Sequence, residues 1–439
     1  MMKAALHNLG CKVNAYETEA MKQDLENNGY EIVPFDEMAD VYIINTCTVT
    51  NIADRKSRQM LHRAKKMNPE ALVVAAGCYV QAAADQLQED ASVDILIGNN
   101  RKKDLVSIIG NHLEGRQDDD AIIDINTTQE YEELHIPGDN ECTRINIKIQ
   151  DGCNQFCSYC IIPYARGRVR SRSIQDVVKE VETLAAKGYK EVILNGIHLS
   201  SYGTDFEDGT TLIDVIREIA RINGIRRIRL GSLEPRIITE DFAQSLCRIP
   251  QICPHFHLSL QSGSDEILGR MNRKYSTGEY YEKCGILRKY FDNPGITTDI
   301  IAGFPGETEE EFEETRAFLD KVRFSDVHVF KYSRRQGTKA AAMKNQVTAS
   351  DKTHRSTVLI ELAADMSREY KETFQNREVE ILLEEEVIVN GKKYLSGYTG
   401  EYIRAAVEYG DGLLNEIVSA RICGPKSGEI LLAEFKNVV

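Results

Sequence analysis

The chain reads as an α/β protein in three parts: a doubly wound α/β domain, an incomplete (β/α)6 barrel and a small β-barrel. Three observations predict this. Over residues 1–115, short apolar runs rich in Val and Ile alternate with polar helical stretches, the pattern of buried parallel strands crossed by helices. After Thr143 the alternation resumes with longer units and continues to about residue 376. From residue 377 onward, five short β-rich runs follow one another, split by Gly-containing turns.

The first segment carries strands at Lys3–His7, Val41–Asn45, Leu72–Ala76 and Val93–Ile97. Helices fall at Ala15–Asn28, ended by Asn28-Gly29, and at Asp54–Met67. Residues 116–141 form a connector: Arg116-Gln117-Asp118-Asp119-Asp120 is a solvated charged run, and Pro137-Gly138-Asp139-Asn140 is turn chemistry. Residues 142–374 supply strands at Arg144–Ile149, Glu191–Asn195, Arg227–Gly231, His255–Leu260, Ile296–Ala302 and Val327–Tyr332. Amphipathic helices at Ile174–Lys187, Leu212–Ile222, Glu240–Cys247 and Glu309–Val322 lie between them, and a long helix, Ser350–Phe374, closes the segment. Six such units suit an open barrel better than an eightfold one. Residues 375–439 form the last domain, with strands at Val379–Leu383, Tyr394–Tyr398, Arg404–Val407, Glu416–Ile422 and Glu429–Phe435.

Bulk properties narrow the function. At 439 residues, with 42% apolar and 28% charged side chains, the chain exceeds one ordinary core. No apolar run is long enough to span a bilayer, and Met1–Asn8 lacks the apolar core of a signal peptide, so no membrane partner and a cytoplasmic location are expected. In that reducing compartment eleven cysteines point to metal or catalytic use rather than disulfides. A net charge of −14 argues against nucleic acid only as an average, because binding depends on where the cations sit.

The run Gly152-Cys153-Asn154-Gln155-Phe156-Cys157-Ser158-Tyr159-Cys160 is C-x3-C-x2-C. A loop of this spacing can wrap a cubane and ligate three irons, leaving the fourth open; ordinary ferredoxin clusters take four cysteines. A zinc site would need a fourth Cys or His, and neither His135 nor His198 stands at knuckle spacing. Cys11, Cys47 and Cys78 each follow one of the first three strands. Strand carboxyl ends share one edge of an open α/β sheet, so these thiols converge there as a second three-cysteine set, with Gly10 and Gly77 allowing close backbone approach. Cys142, Cys247, Cys253, Cys284 and Cys423 share no spacing and read as structural.

Polar residues crowd the expected barrel mouth: Asn195 and Gly196 after the second strand, Ser232 and Glu234 after the third, Gln261 after the fourth and Asp299 at the fifth. Basic residues cluster locally. Arg166, Arg168, Arg170 and Arg172 alternate directly after the cysteine loop, which in an extended segment makes a one-sided basic strip at the mouth. Arg55, Lys56, Arg58, Arg63, Lys65 and Lys66 follow Cys47, Lys331, Arg334 and Arg335 follow the last barrel strand, and Lys392, Lys393, Arg404 and Lys426 lie in the last domain.

The cysteine loop resembles the signature of radical S-adenosylmethionine (SAM) enzymes. With the leading three-cysteine domain, Leu233-Glu234-Pro235, Gln261-Ser262-Gly263-Ser264 and the run from Asp299 to Thr308, the whole chain resembles the radical SAM methylthiotransferase family, whose terminal β-barrel is the RNA-binding TRAM domain. The runs Asn45–Arg58 and Ile162–Arg172 look most like the branch acting on threonylcarbamoyladenosine in tRNA. The resemblance implies two [4Fe-4S] clusters, on Cys11, Cys47 and Cys78 and on Cys153, Cys157 and Cys160, with SAM on the open iron of the second. Tyr159, Asn195, Gly196, Ser232, Glu234, Gln261 and Asp299 are its expected cofactor contacts; Arg166, Arg168, Arg170, Arg172, Lys331, Arg334, Arg335, Lys392 and Arg404 are the expected RNA contacts. It further implies methylthiolation at carbon 2 of the adenine beside the anticodon, and an electron donor such as flavodoxin or ferredoxin; the sulfur donor stays unnamed. Alternatives are the branches acting on isopentenyladenosine in tRNA or on a ribosomal-protein aspartate, and a non-catalytic iron–sulfur or zinc RNA-binding protein.

Overall fold

In the computed structural model, residues 1–116, 121–136, 138, 143–427 and 430–435 are described, 425–427 for their backbone alone. The expectations for Gln117–Asp120, Pro137, Asp139, Asn140, Cys142 and Glu429, and for the side chain of Lys426, lie outside those residues.

The N-terminal domain is a five-stranded parallel sheet, β1 (Lys3–Asn8), β2 (Glu31–Ile32), β3 (Val41–Thr46), β4 (Leu72–Gly77) and β5 (Ile95–Ile97), in the order β2-β1-β3-β4-β5. Helices cover both faces over separate cores. Ile43 and Val74 face one with Leu105 and Ile109, while Tyr42 and Val73 face the other with Leu61 and Ala64. The edge strand β2 is two residues long, too short to show a period in sequence. β5 starts later than expected because the Asp94 carboxylate accepts the Val73 N–H at 2.7 Å, replacing a ladder bond with a side-chain bond.

The central domain contributes six parallel strands: β6 (Arg144–Asp151), β8 (Glu191–Gly196), β9 (Arg227–Leu230), β10 (His255–His257), β11 (Gly295–Ala302) and β12 (Asp326–Lys331). A short antiparallel strand, β7 (Arg170–Ser171), adds to the edge of β6. The two sheets, β7-β6-β8-β9 and β10-β11-β12, join through bridges from Ile228 to Ile252 and Leu233 to Leu258. This is the open six-stranded barrel expected. Alternate strand residues such as Ile147, Val192, Ile228, Phe256, Ile296 and Val327 pack beneath the outer helices, which turns their neighbours toward the lumen. β10 stops at His257, short of the expected Leu260: the Leu260 N–H goes to the Thr298 hydroxyl, and Gln261 turns to φ +76°.

The terminal domain closes into a five-stranded barrel from β13 (Glu378–Val389), β14 (Lys392–Thr399), β15 (Arg404–Glu408), β16 (Ile417–Ser427) and β17 (Ile430–Phe435). It docks on the amino ends of the central strands. Arg227 donates to the carbonyls of Tyr398 and Glu380, and Arg229 to those of Gly400 and Thr399, at 2.7–3.1 Å. Tyr402 stacks on His255 with ring centroids 4.9 Å apart. The barrel is therefore plugged at the end opposite its carboxyl mouth.

Candidate functional site

The register pairs Asn8 with Asn45 and Thr46 with Gly77, so β1, β3 and β4 end level and hand Cys11, Cys47 and Cys78 to one edge. Gly10, at φ +109°, lies so close to Cys47 that a Cβ would sit 2.9 Å from its Sγ. Cys11 is the N-cap of the helix Lys12–Asn27, yet it makes no capping bond. Asn14 from that helix ties the two loops, donating to Leu9 O at 2.8 Å and Thr46 O at 3.0 Å. Burial pushes the Cys47 thiol up to about 11, so in the bare protein it keeps its proton until a metal displaces it.

The second cysteine set sits on the loop after β6. Gly152, at φ +70°, passes so close to the following segment that a Cβ would lie 1.7 Å from Arg168 O. Phe156 takes the left-handed conformation at φ +49°, a strained arrangement for an aromatic residue of the kind that clusters at functional sites. Backbone bonds from Cys153 N to Gly167 O, Ser158 N to Met271 O and Ala340 N to Ser158 O clamp the loop. Burial pushes Cys153 up to about 11 and Cys160 up to about 12. Gln155 N donates to Cys153 Sγ at 3.5 Å, and Arg273 Nη1 to Cys157 Sγ at 3.3 Å.

The donor sets fit a cluster better than a single ion. Among the described residues, the group of Cys, His, Asp or Glu whose ligand atoms all lie within 4.8 Å of one another is His257, Asp299 and His328, in neither cysteine set. A zinc ion would need four donors packed around it; each thiol trio is wider and supplies sulfur alone, as an iron–sulfur cage requires.

The two sets meet through one buried side chain. Arg166, fully buried, donates from Nε to Cys78 Sγ at 3.2 Å and from Nη2 to Asn14 Oδ1 at 2.6 Å. Its Nη1 lies 2.6 Å from Glu17 Oε1 and 3.1 Å from Asp151 Oδ2. Lys102 and Lys148 complete the shell around Glu17, at 2.7 and 2.8 Å. Burial opposes the Glu17 charge, but Arg166, Lys102 and Lys148 together hold its carboxyl well below the usual range.

That network corrects the expected basic strip. Arg166, Arg170 and Arg172 are buried, so they cannot present a charged face to RNA. Arg170 donates to the carbonyls of Arg166 and Arg168, each at 3.0 Å, and Arg172 binds Glu180 and Asp176. The segment folds back on the cysteine loop instead of extending past it, which sequence alternation could not show. Arg168 is half-buried over the Phe156 ring at 4.6 Å. Arg335 is likewise buried, bound to Asp54, Thr48 and Asn51 of the N-terminal domain. Lys331, Arg334 and Lys392 are exposed, and Arg404 pairs with Glu385 at 2.5 Å. With Arg55 and Lys56 on the helix Asn51–Met67, Lys331 and Arg334 leave an exposed basic surface along the seam between the first two domains, where Asn51 donates to Arg334 O at 2.9 Å.

The expected cofactor residues have distinct surroundings. Asn195 donates to Asn146 Oδ1 at 2.8 Å, and at Gly196 a Cβ would meet Gln150 Oε1 at 2.7 Å. Ser232 is exposed at the carboxyl end of β9. Glu234 is buried and accepts from Arg236 Nε at 2.8 Å. Gln261 bridges to β11 through its backbone, and Tyr159 packs against a small core containing Met271 and Phe304. Asp299 faces His257 and His328, each at 3.3 Å. Of the two arginines that donate to thiols, Arg166 stands out in the sequence as an RNA contact and not as a thiol partner, while Arg273 carries no sequence signal, since the fold brings it in from outside any motif spacing.

A model of the Radical SAM superfamily matches residues 147–319, and one described as "Uncharacterized protein family UPF0004" matches residues 3–98. The chain is 40% identical over 424 residues to the threonylcarbamoyladenosine tRNA methylthiotransferase MtaB of Bacillus subtilis, covering 96% of this chain and 94% of that protein. The chain belongs to the radical SAM methylthiotransferase family. Within that family it is 39% identical to the MtaB protein of Aquifex aeolicus, over 92% of this chain and 100% of the relative. It is 33% identical to the tRNA-2-methylthio-N(6)-dimethylallyladenosine synthase of Finegoldia magna, over 94% and 90% of the two chains. Among solved structures, the radical SAM methyltransferase TsrM of Kitasatospora setae superposes with a TM-score of 0.57 at 18% identity, over 75% of each chain, a likeness of fold. This methylthiotransferase is thus an enzyme of the radical SAM class using SAM and [4Fe-4S] clusters.

Proposed function

We propose that the enzyme adds a methylthio group to carbon 2 of threonylcarbamoyladenosine beside the anticodon of tRNA, acting in the cytoplasm with an external one-electron donor such as flavodoxin or ferredoxin. The observation that carries this reading is the Arg166 bridge, which ties a thiol of one three-cysteine edge to the loop bearing the other. Likeness to the MtaB relatives supports the choice of adenosine.

Cys153, Cys157 and Cys160 would hold the SAM-binding cluster, and Cys11, Cys47 and Cys78 the second. Once bound, these groups supply radical chemistry for an unactivated C–H bond and a sulfur to place there, which no polar side chain can supply. The protein's own part is alignment. Arg273 donates to Cys157, and Arg166 to Cys78, holding each thiol in a fixed orientation. Ser232 and Glu234 stand at the mouth beyond β9 to meet polar groups of SAM, while Asn195, whose amide is already engaged, shapes the wall behind. The terminal barrel plugs the far end and limits entry of water to the mouth. Exposed Lys331, Arg334, Arg55 and Lys56 would steer the RNA backbone to that mouth.

Anaerobic reaction of the reconstituted protein with threonylcarbamoylated and with dimethylallylated tRNA, followed by nucleoside mass spectrometry, tests the reading. The expected product is the methylthio form of the first. Modification of the dimethylallyl substrate alone would reassign the enzyme to the other branch, and modification of neither would reject tRNA as the target.

A further inference from the structure

The lumen of the central barrel carries charged side chains that neither cysteine set uses. Phe256, Ile296, Ile300 and Val327 pack under the helices, so His255, His257, Thr297, Asp299 and His328 turn inward. Asp299 Oδ2 lies 3.3 Å from His257 Nε2, and its Oδ1 lies 3.3 Å from His328 Nδ1. The two imidazoles stack at 5.8 Å with planes 24° apart. Thr297 Oγ1 lies 3.0 Å from His257 Nδ1 and fixes that ring from behind. His328 is exposed to the lumen, its Nε2 only loosely approached by Asp326 at 3.7 Å.

A further cation enters from the open side of the barrel. The helix Lys12–Asn27 packs across β6, where Glu17 reaches the inward Lys148. Lys12, more than a turn nearer that helix's start, lies within electrostatic reach of Arg144, Glu191 and Arg229 on the lumen wall, and of His255 and His328. It is exposed, and among the described residues its ammonium has no ion pair or hydrogen bond. It also immediately follows Cys11, which places it beside the sulfur-delivering edge.

Two ligand classes can be weighed. Arg144 and Arg229 are already balanced by Glu384 and Glu191, so a divalent cation on His257, Asp299 and His328 would meet one uncompensated charge, the Lys12 ammonium, which opposes it. An anion would instead complete an unpaired ammonium and, by taking the place of the loosely held, exposed Asp326, the far nitrogen of an imidazole whose near nitrogen is fixed by Asp299. We infer that Lys12 and His328, the latter oriented through Asp299, form a carboxylate-binding subsite that selects adenosine bearing an amino-acid substituent. An apolar dimethylallyl tail in the same place would desolvate Lys12 without pairing it, so the subsite also rejects that alternative. Asp299 is then a positioning residue in place of the SAM contact expected from sequence. The inference rests on the tRNA reading above.

The test uses the full iron-loaded chain and a synthetic anticodon stem-loop carrying threonylcarbamoyladenosine, either as the free acid or as its methyl ester, with binding read by fluorescence anisotropy at one salt concentration. The free acid binds about tenfold or more tightly than the ester in the wild type, the factor for one charge-assisted contact. Lys12→Gln and His328→Leu each bring that ratio toward one. A ratio of one in the wild type, or an unaltered ratio in both variants, overturns the inference. Iron content per chain checks each variant; if Lys12→Gln disturbs the neighbouring cysteine, His328→Leu decides alone. Binding of neither RNA above an unrelated hairpin would instead overturn the tRNA reading.

Discussion

Arg166 Nε stands 3.2 Å from Cys78 Sγ, so the residue that closes the cysteine loop of one domain bonds a thiol of the other. A hydrogen bond to a cluster sulfur draws off electron density and favours the reduced state. Arg166→Met therefore lowers the midpoint potential of the N-terminal cluster relative to wild type, whereas the centre on Cys153, Cys157 and Cys160 keeps its own. Redox titration followed by electron paramagnetic resonance separates the two signals. Equal shifts at both centres would show a general disturbance and not this bond.

Glu17 is the hub of the same network, shared among Arg166, Lys102 and Lys148, all buried. Removing one partner of a buried ion pair costs about 3–5 kcal/mol because the remaining charges are left uncompensated. Glu17→Ala is expected to lose that amount in urea unfolding, with the N-terminal domain melting before the barrel. A single transition at the wild-type midpoint would mean that Asp151, which also faces Lys148 and Arg166, balances the network without Glu17.

The strands that position the chemistry were readable because burial on both faces leaves continuous apolar runs, as in Val41–Asn45 and Leu72–Ala76. The convergence of Cys11, Cys47 and Cys78 was readable for a related reason: topology alone puts the ends of parallel strands on one edge. What could not be read was direction after a turn. Alternation at Arg166–Arg172 looked like an exposed strip, but the chain folds back so that Cys153 N bonds Gly167 O, and the arginines become internal counter-ions. Acidic partners decide that outcome: Glu17, from the first helix of the N-terminal domain, for Arg166, and Asp176 and Glu180, on the helix that follows, for Arg172. Asp299 stands out as a polar residue of the barrel, but its meeting with His257 and His328 is not readable, since the three come from three strands.

Burial separates phosphate-binding cations from structural ones. Lys331 is exposed at the end of β12, whereas Arg170 is fully buried. Every phosphate left without its cation reduces the slope of log affinity against log salt by about 0.7–0.9. Lys331→Ala lowers the slope of tRNA binding by one such step and weakens binding alike for modified and unmodified RNA. Arg170→Lys leaves the slope as in wild type. A flatter slope for Arg170→Lys would restore the basic strip that the fold removes.

At the plugged end of the barrel, Glu191 lies 2.7 Å from Arg229, whose other nitrogens donate to Thr399 and Gly400 of the terminal domain. Burial alone would raise the Glu191 carboxyl, but the Arg229 guanidinium and its hydrogen bond override this and hold it below its ordinary 4.5. A carboxyl depressed in the folded state contributes stability that is complete above its unfolded value and fades as pH falls through the folded one. Glu191→Gln therefore destabilises the protein by about 3–5 kcal/mol near neutral pH, leaving Arg229 buried without a counter-charge. As pH falls beneath the ordinary carboxylate range and through the depressed folded value, the wild type protonates and approaches the variant, so the gap between their melting temperatures narrows. Calorimetry of both proteins across that range checks the claim. A gap of constant size down to the acid limit would mean that Glu191 is held by its shape and not by its charge.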